Sequence, residues 1–178
     1  MERKTFDTAP CSIARSLDVL GDWWNPLIIR ECLYGVHRFD EFQKWLDIGR
    51  NILTRRLKQL VDEGLLEKRP YQDNPPRFEY HLTDKGYDAA GVLLALMAYG
   101  EKWHFENGNE PIRIFDRTSG ARVMPALVDA RSMRAIDARQ LYAGPGPAFP
   151  ADKSVRRSRF VEYFARQGDG KRPAKTTE

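Results

Sequence analysis

The segment 50–63 reads RNILTRRLKQLVDE and has the periodicity of an amphipathic helix. One stripe of this helix is apolar and is predicted to pack inward; it contains Ile52, Leu53, Leu57, Leu60 and Val61. The opposite stripe has only cationic or hydrogen-bonding side chains; it contains Arg50, Asn51, Thr54, Arg55 and Lys58. Gly64 follows directly and is typical of the residue after a helix end. The segment therefore predicts a helix with one buried face and one outward face that lacks acidic residues.

The segments on either side predict a helix-turn-helix followed by a wing. Residues 38–46 have apolar side chains at helical spacing, and residues 47–49 form a tight connection to the next helix. Residues 65–69 and 78–82 resemble two strands, and the loop at 70–77 contains three prolines. Two helices joined by a short turn and followed by a hairpin are typical of a winged helix-turn-helix.

The N-terminal part predicts two more helices within residues 12–33. Ser12 is a candidate cap for the first helix, and Gly21 interrupts the helical pattern. Pro26 stands where a second helix is expected to begin, and Gly35 follows its end.

A further helix is predicted after Thr83, its candidate cap, with Gly86 near its start, and residues 87–107 are its dimerisation segment. Its side chains are apolar on nearly every face, so the helix has to be buried. The small unit before it needs only one of these faces. We therefore predict that the same helix of a second subunit covers the others, which makes the protein a homodimer. The alternative is that the C-terminal segment of the same chain covers them.

The predicted fold class is mainly α with a small β-wing (α+β). The expected order is an N-terminal arm (1–10), a winged helix-turn-helix DNA-binding domain (11–86), a dimerisation helix (87–107), a small β-rich C-terminal module (108–150) and a basic, partly disordered tail (151–178). Short strands around a turn at Ser119-Gly120 are expected in the C-terminal module.

The composition fits a cytoplasmic protein that binds nucleic acid and not a membrane. The chain has 178 residues, with 29 lysines and arginines against 25 aspartates and glutamates, and a formal net charge of +4. The N-terminus lacks the apolar stretch of a signal peptide, and the longest nearly apolar run, 89–100, is shorter than the ~20 residues of a membrane span. Two cysteines are too few for a disulfide framework or a zinc cluster, so reduced thiols are expected.

The outward stripe of segment 50–63 has the chemistry that a DNA major groove requires. Arginine pairs with guanine and asparagine with adenine, whereas threonine and lysine more often contact phosphates. The wing loop is stiffened by its prolines and adds basic side chains for a phosphate or the minor groove. The further basic residues expected at DNA are Arg38, Lys44, Lys68, Arg69 and Arg77. The alternatives are a solvated helix face and a plain hairpin loop.

The ordered set of these segments resembles the HxlR family of bacterial regulators over residues 11–86. The matching segments are CSIAR (11–15), GDWW (21–24), LIIRE (27–31), RFDEF (38–42), LTRRLKQL (53–60) and PPRFEYHLTDKG (75–86). The resemblance implies a winged-helix homodimer on a near-palindromic operator, most commonly a repressor. Gly49 stands where the family usually has a serine before the recognition helix, which weakens capping by only about a few tenths of a kcal/mol.

The C-terminal module resembles an extended branch of that family, which adds a zinc-ribbon-like unit. Ser119-Gly120 stands where that branch has its first cysteine, and Asp129 and Ser132 stand at its cysteine pair. Hydroxyls are poor substitutes for the thiolates that such a zinc site needs. We therefore predict a ribbon-shaped module without zinc, and no cofactor.

Two regulatory signals are compatible with the sequence. Cys11 stands at the position of the family's N-terminal cysteine, which is a redox sensor in some relatives. The alternative is an unreactive thiol packed at the dimer interface. An aromatic group near the dimerisation helix either lines a pocket for a small-molecule effector or simply packs the interface; it contains Tyr99, Trp103, His104 and Phe105.

Catalytic motifs are missing from the sequence. The three histidines, His37, His81 and His104, are scattered and form no His-Glu-x-x-His pair. A glycine-rich phosphate loop and a Gly-x-Ser-x-Gly elbow are also absent. The sequence therefore predicts a transcription regulator, not an enzyme. The alternative is a protein-interaction module without specific DNA binding.

Overall fold

The computed structural model describes residues 5–9, 11–106 and 108–141. The predictions for the end of the C-terminal module (142–150) and for the basic tail (151–178) lie outside the described residues. The described elements are the helices α1 (Ser12–Leu20), α2 (Trp24–Leu33), α3 (Phe39–Leu46) and α4 (Arg50–Asp62), the strands β1 (Leu66–Gln72) and β2 (Arg77–Leu82), the helix α5 (Asp84–His104) and a 3-10 turn (Ala138–Gln140). This order confirms the predicted winged helix-turn-helix of mainly α class.

The first two helices begin at different residues than predicted. Cys11, not Ser12, is the N-cap of α1, and its side chain makes no capping hydrogen bond. The second helix begins at Trp24, two residues ahead of Pro26, and the Asp22 carboxylate accepts a hydrogen bond from the Trp24 N–H at 3.0 Å. Pro26 fits the first turn of α2, where its missing N–H leaves no helical hydrogen bond unmade.

The connection between α3 and α4 is the predicted three-residue turn, Asp47 to Gly49. Asp47 adopts the left-handed conformation with φ of 48°, which ends α3 and turns the chain. Ile48 anchors the turn because it is 3% exposed. Gly49 then caps α4 with an extended backbone. This turn fixes the angle at which α4 leaves α3.

The hairpin is longer than predicted. The antiparallel pairing runs from Leu66 opposite Leu82 to Gln72 opposite Arg77, with an irregularity after Pro70. We expected β1 to end before Pro70, because the three prolines of residues 70–77 are typical of a loop. Each strand of a two-stranded sheet has one edge without a partner strand, and such edge strands tolerate proline. The pairing therefore continues past Pro70. The loop is thereby reduced to residues 73–76.

The core lies between α2, α3, α4 and the hairpin. Its largest fully buried side chains are Phe42, Ile28, Ile29, Leu53, Leu57, Leu60 and Leu66. Burial of each such side chain contributes roughly 1.5–3 kcal/mol. Cys32 is buried, and burial raises the pKa of its thiol to about 12. The inward prediction for Ile52 is wrong: it is 38% exposed, because it lies about 100° around the helix from Leu53.

Hydrogen bonds tie the start of α5 to the end of α4. The predicted cap is present, because the Thr83 hydroxyl oxygen accepts from the Gly86 N–H at 3.2 Å. The same hydroxyl donates to the Gly64 carbonyl at 2.6 Å, and the Lys85 ammonium donates to the Glu63 carbonyl at 2.5 Å. These bonds link α5 directly to the C-terminal end of α4.

Gly86 is required at its position by close packing. A Cβ atom there would lie 2.2 Å from the carbonyl oxygen of Leu65 and 2.9 Å from a methyl of Leu82. The glycine therefore lets α5 approach the hairpin closely.

Among the described residues, no helix is long and apolar enough to cross a membrane.

Residues 108–141 contain two successive turns in place of the predicted short strands. The first turn includes Ser119-Gly120, as predicted, and is closed by a single antiparallel bridge between Phe115 and Arg122. The second is closed by a bridge between Val128 and Ala135. Pairing in this described segment is thus limited to single-residue bridges.

The two turns have the same internal hydrogen bonding. Asp116 accepts from the N–H and the hydroxyl of Ser119, each at 2.7 Å. Asp129 accepts from the N–H of Ser132 at 2.7 Å and from its hydroxyl at 2.8 Å. These bonds lower the pKa of both carboxyls below the ordinary range. In the described ranges, no group of three or more His, Cys, Asp or Glu side chains could hold a metal ion.

Candidate nucleic-acid interface

Helix α4 has one buried face and one exposed basic face. Its buried side chains are Leu53, Leu57 and Leu60, each at most 1% exposed. The side chains of the predicted DNA-binding stripe are all exposed; they are Arg50, Asn51, Thr54, Arg55 and Lys58. Gly49 and the N–H groups of the first turn lie at the same end as Arg50 and Asn51, where the helix dipole favours an anion. The arrangement can place cationic and amide groups against a nucleic acid.

The five side chains of this stripe differ in the ion pairs and hydrogen bonds that they form within the protein. Within residues 5–141 as described, Arg50 and Arg55 form no ion pair, and Asn51 is neutral. The Lys58 ammonium lies 2.5 Å from the Asp62 carboxylate, and the Thr54 hydroxyl donates to the Arg50 carbonyl at 2.9 Å. The charge of Lys58 is therefore partly neutralised, and Thr54 presents mainly an acceptor oxygen.

A partly buried polar network holds α4 against the turn between α1 and α2. Arg56 is ion-paired with Asp22 and donates to the side-chain oxygen of Gln59 at 3.1 Å. Gln59 in turn donates to the Asp18 carbonyl at 3.3 Å. Asn25 is 0% exposed, and its amide lies 3.4 Å from the Gln59 oxygen. Arg55 lies beside this network, in a cleft that Asp22, Arg56 and Gln59 also line.

Sequence reasoning missed this network. Arg56 follows Arg55 directly, and only the fold shows that one side chain turns inward and the other outward. The available signal was Asn25, a polar residue immediately before an apolar run. Polar side chains in such positions are usually hydrogen-bonded in the core.

On α3, Lys44 and Trp45 are both exposed. The Lys44 ammonium lies 5.5 Å from the centroid of the Trp45 ring, within the range of a cation–π contact. Trp45 is 64% exposed and was not among the predicted DNA-binding residues. A large exposed aromatic side chain beside a lysine adds stacking and phosphate-contact groups to this face.

The basic side chains of the wing differ in their contacts within the protein. Arg77 is exposed at the start of β2 and forms no ion pair with a described residue, whereas Arg69 is ion-paired with Glu67 on its own strand. The Lys68 ammonium lies 3.7 Å from the centroid of the Phe78 ring. At the tip, Gln72 donates to the carbonyls of residues 74 and 75, at 3.0 and 3.1 Å. Of the two wing arginines, only Arg69 is therefore ion-paired with another described residue.

Arg38 lies at the base of the wing and is held by the wing itself. Its Nε donates to Glu79 at 2.9 Å, and its guanidinium lies 4.4 Å from the centroid of the Tyr71 ring. His81 contacts the other carboxylate oxygen of Glu79 at 3.2 Å and stacks on His37 with 4.2 Å between ring centroids. The Arg38 hydrogen bond and then the His81 contact lower the pKa of Glu79, and the same hydrogen bond raises the pKa of Arg38.

The two regulatory groups predicted from the sequence are exposed. Cys11 is exposed at the start of α1. Tyr99 and Trp103 are 62% and 64% exposed on α5, and His104 and Phe105 are exposed at its end. The rings of Tyr99 and His104 pack edge-on with 6.3 Å between centroids. The structure thus brings the four aromatic residues to one end of α5.

A two-helix turn that presents an exposed basic helix, followed by a hairpin wing, defines a winged helix-turn-helix DNA-binding protein. The profile of the HxlR-like helix-turn-helix family matches residues 19–107, and the chain belongs to this family. The match covers α2 to α5, and so includes the whole candidate interface.

Similar proteins have the same class of function. The HTH-type transcriptional regulator Rv3095 of Mycobacterium tuberculosis is 36% identical over 140 residues, which cover 79% of this chain and 89% of the relative. The crystal structure of PA1607, a candidate transcription factor, matches this chain with a TM-score of 0.72 and 35% sequence identity. The matched region covers 80% of this chain and 100% of the PA1607 chain. The structure of PA1374 from Pseudomonas aeruginosa matches with a TM-score of 0.57 and 42% sequence identity. That match covers 83% of this chain and 99% of the PA1374 chain. The chain is a DNA-binding transcriptional regulator.

Proposed function

We propose that the protein is a homodimeric repressor that binds a near-palindromic operator with α4 in the major groove. The observation that supports this most strongly is the division of α4 into a fully buried apolar face and an exposed basic face. A B-form major groove admits one α-helix, and the side chains near the start of a recognition helix reach the base edges.

Arg50, Asn51 and Arg55 are the proposed base-reading side chains. All three are exposed, and neither arginine is neutralised by a carboxylate among the described residues, so their donors are available for guanine or adenine edges. Lys58 shares its charge with Asp62 and is proposed to contact a phosphate at the far end of the helix. Arg77 and Lys44, both exposed, are proposed as further phosphate contacts.

The proposed dimer interface is the exposed apolar surface of α5 and α1. On α5 the exposed large apolar residues are Tyr87, Val92, Leu96, Tyr99 and Trp103. On α1 they are Ile13 and Leu17, which are 72% and 50% exposed, and none of that helix is buried. Exposed apolar side chains that cluster on one surface often mark a protein–protein interaction site. Pairing α5 with its copy would cover it and present two α4 helices to half-sites about 34 Å apart.

Repression and its release are further parts of the proposal. A dimer seated on an operator near its own gene blocks access to the promoter. Cys11 is exposed, as a sensing thiol must be. The aromatic group of Tyr99, Trp103, His104 and Phe105 lies on the proposed dimer helix, where a second subunit would complete an effector pocket. Operator binding after complete diamide oxidation tests the thiol, and unchanged binding would exclude it as a sensor.

The test of the proposed function is fluorescence anisotropy with the intergenic DNA upstream of the gene and a shuffled duplex of equal length. We expect tighter binding to the upstream duplex at both of two salt concentrations. For arginine-to-alanine variants of α4, Arg131→Ala provides a charge-matched control, because Arg131 is exposed outside the winged helix. Equal micromolar binding to both duplexes would refute the specific operator and favour a protein-interaction module.

A further inference from the structure

The side chain of Arg38 is fixed before any ligand arrives. Glu79 accepts a hydrogen bond from its Nε at 2.9 Å, and the face of its guanidinium lies over Tyr71 at 4.4 Å. Arginine normally loses much rotamer freedom when it binds a phosphate. Here two groups on the wing already hold it in one orientation.

The orientation leaves the far edge of the guanidinium available. The hydrogen bond to Glu79 uses Nε, and the two Nη groups donate to no described residue. The side chain remains 47% exposed. A planar guanidinium with both Nη groups open is suited to a bidentate contact with phosphate oxygens.

Glu79 is itself held in place. The backbones of Arg38 and Glu79 form an antiparallel bridge, and the Tyr80 N–H donates to the His37 carbonyl at 2.9 Å. His81 contacts the second carboxylate oxygen of Glu79 at 3.2 Å, and its ring is stacked on His37. The Glu79 side chain is only 24% exposed. It is therefore a fixed acceptor and not a mobile surface group.

We propose that Glu79 is a positioning residue that orients Arg38 for a phosphate of the operator backbone. This inference rests on the proposed function, because it requires that the wing lies against DNA. It assigns a favourable role to a carboxylate that simple electrostatics would count as a repulsive charge near DNA. The two views predict opposite effects when the carboxylate is removed.

Glu67 provides the matched control. It lies on the neighbouring strand, two residues from Arg69, and Arg69 is directly opposite Glu79 in the register. Its side chain is 45% exposed, and its carboxylate pairs only with Arg69 among the described residues. Glu67→Ala and Glu79→Ala therefore remove the same charge from the same face of the hairpin, but only Glu79→Ala releases Arg38.

The experiment measures binding of the full chain to the upstream duplex and to a random duplex over a range of salt. A phosphate contact acts on both sequences, so both duplexes report on it. We expect Glu79→Ala to weaken binding about 5-fold on both duplexes. Glu67→Ala should leave binding unchanged or tighten it. Glu79→Gln, which keeps an acceptor and drops the charge, should restore wild-type binding.

Arg38→Ala completes a double-mutant cycle. It should weaken binding and lower the slope of log K against log salt by about 1, as loss of one phosphate contact does. Glu79→Ala should have no further weakening effect in the Arg38→Ala background, since Glu79 acts through Arg38. Thermal melts followed by circular dichroism check that each variant is folded, and the cycle separates positioning from a general loss of stability.

The outcomes separate this inference from the proposed function. If Glu79→Ala binds as tightly as Glu67→Ala, or weakens the Arg38→Ala protein equally, the positioning role is refuted. If the wild-type protein binds the upstream and random duplexes equally, the proposed operator function fails, whatever the wing variants do.

Discussion

Gly86→Ala should destabilise the protein, although alanine is the better helix former. At an open helical position the exchange of glycine for alanine stabilises by about 0.5–1 kcal/mol. At Gly86 the new methyl would lie 2.2 Å from the Leu65 carbonyl oxygen, more than an ångström inside an ordinary contact. The contacting atom belongs to the backbone between α4 and β1. It cannot rotate away as a side chain could, so α5 has to move. Overpacking of this kind costs about 1–3 kcal/mol, occasionally more.

Gly91→Ala is the matched control, because it lies on the same helix and a Cβ there meets nothing within 4 Å. Urea unfolding followed by circular dichroism measures both free energies of unfolding. We expect Gly86→Ala to lower the free energy of unfolding by about 1–3 kcal/mol and Gly91→Ala to raise it by about 0.5–1 kcal/mol. Equal changes in the two variants would show that α5 does not approach the hairpin as closely as described.

Three further predictions concern DNA binding, assembly and acid stability. Arg55→Ala should weaken operator binding by about 1–3 kcal/mol relative to Arg131→Ala, measured by anisotropy; an equal loss on random DNA would reassign Arg55 to a phosphate. Leu96→Glu should shift the protein from dimer to monomer in analytical ultracentrifugation, because it places a charge on the exposed apolar face of α5, and an unchanged dimer would place the interface elsewhere. The lowered pKa of Asp116 contributes stability above about pH 4 that is lost as the pH falls through the folded-state value. Ser119→Ala should raise that pKa in an NMR titration, and an unshifted titration would contradict the hydrogen bonds of the first turn.

Local patterns in the sequence were sufficient to predict the helix-turn-helix and the position of α4. Leu53, Leu57 and Leu60 recur at helical spacing, and Gly64 marks the end of the pattern, with φ of 70° in the structure. Burial of an amphipathic stripe is decided within one helix, so periodicity predicts it well. Ile52 was placed inward incorrectly because a residue at the border of the stripe is decided by its tertiary neighbours.

The contacts that hold the interface together were beyond the reach of the sequence. Arg56 and Asp22 are 34 residues apart, and Arg38 and Glu79 are 41 residues apart. No local spacing rule connects such pairs, and many other carboxylates were available to each arginine. The strand through Pro70 was missed for a related reason, because the pairing across the hairpin outweighed the local preference of proline.

The short ties between α4 and α5 have a consequence for how a signal would reach DNA. Thr83 and Lys85 bond the first turn of α5 to the carbonyls of Gly64 and Glu63, so a rotation of α5 would be transmitted directly to the end of α4. In a pair of such subunits, a change in the crossing angle of the α5 helices would alter the distance between the two α4 helices. The pitch of the DNA duplex is fixed, so a small rotation at the subunit contact would put one half-site out of phase.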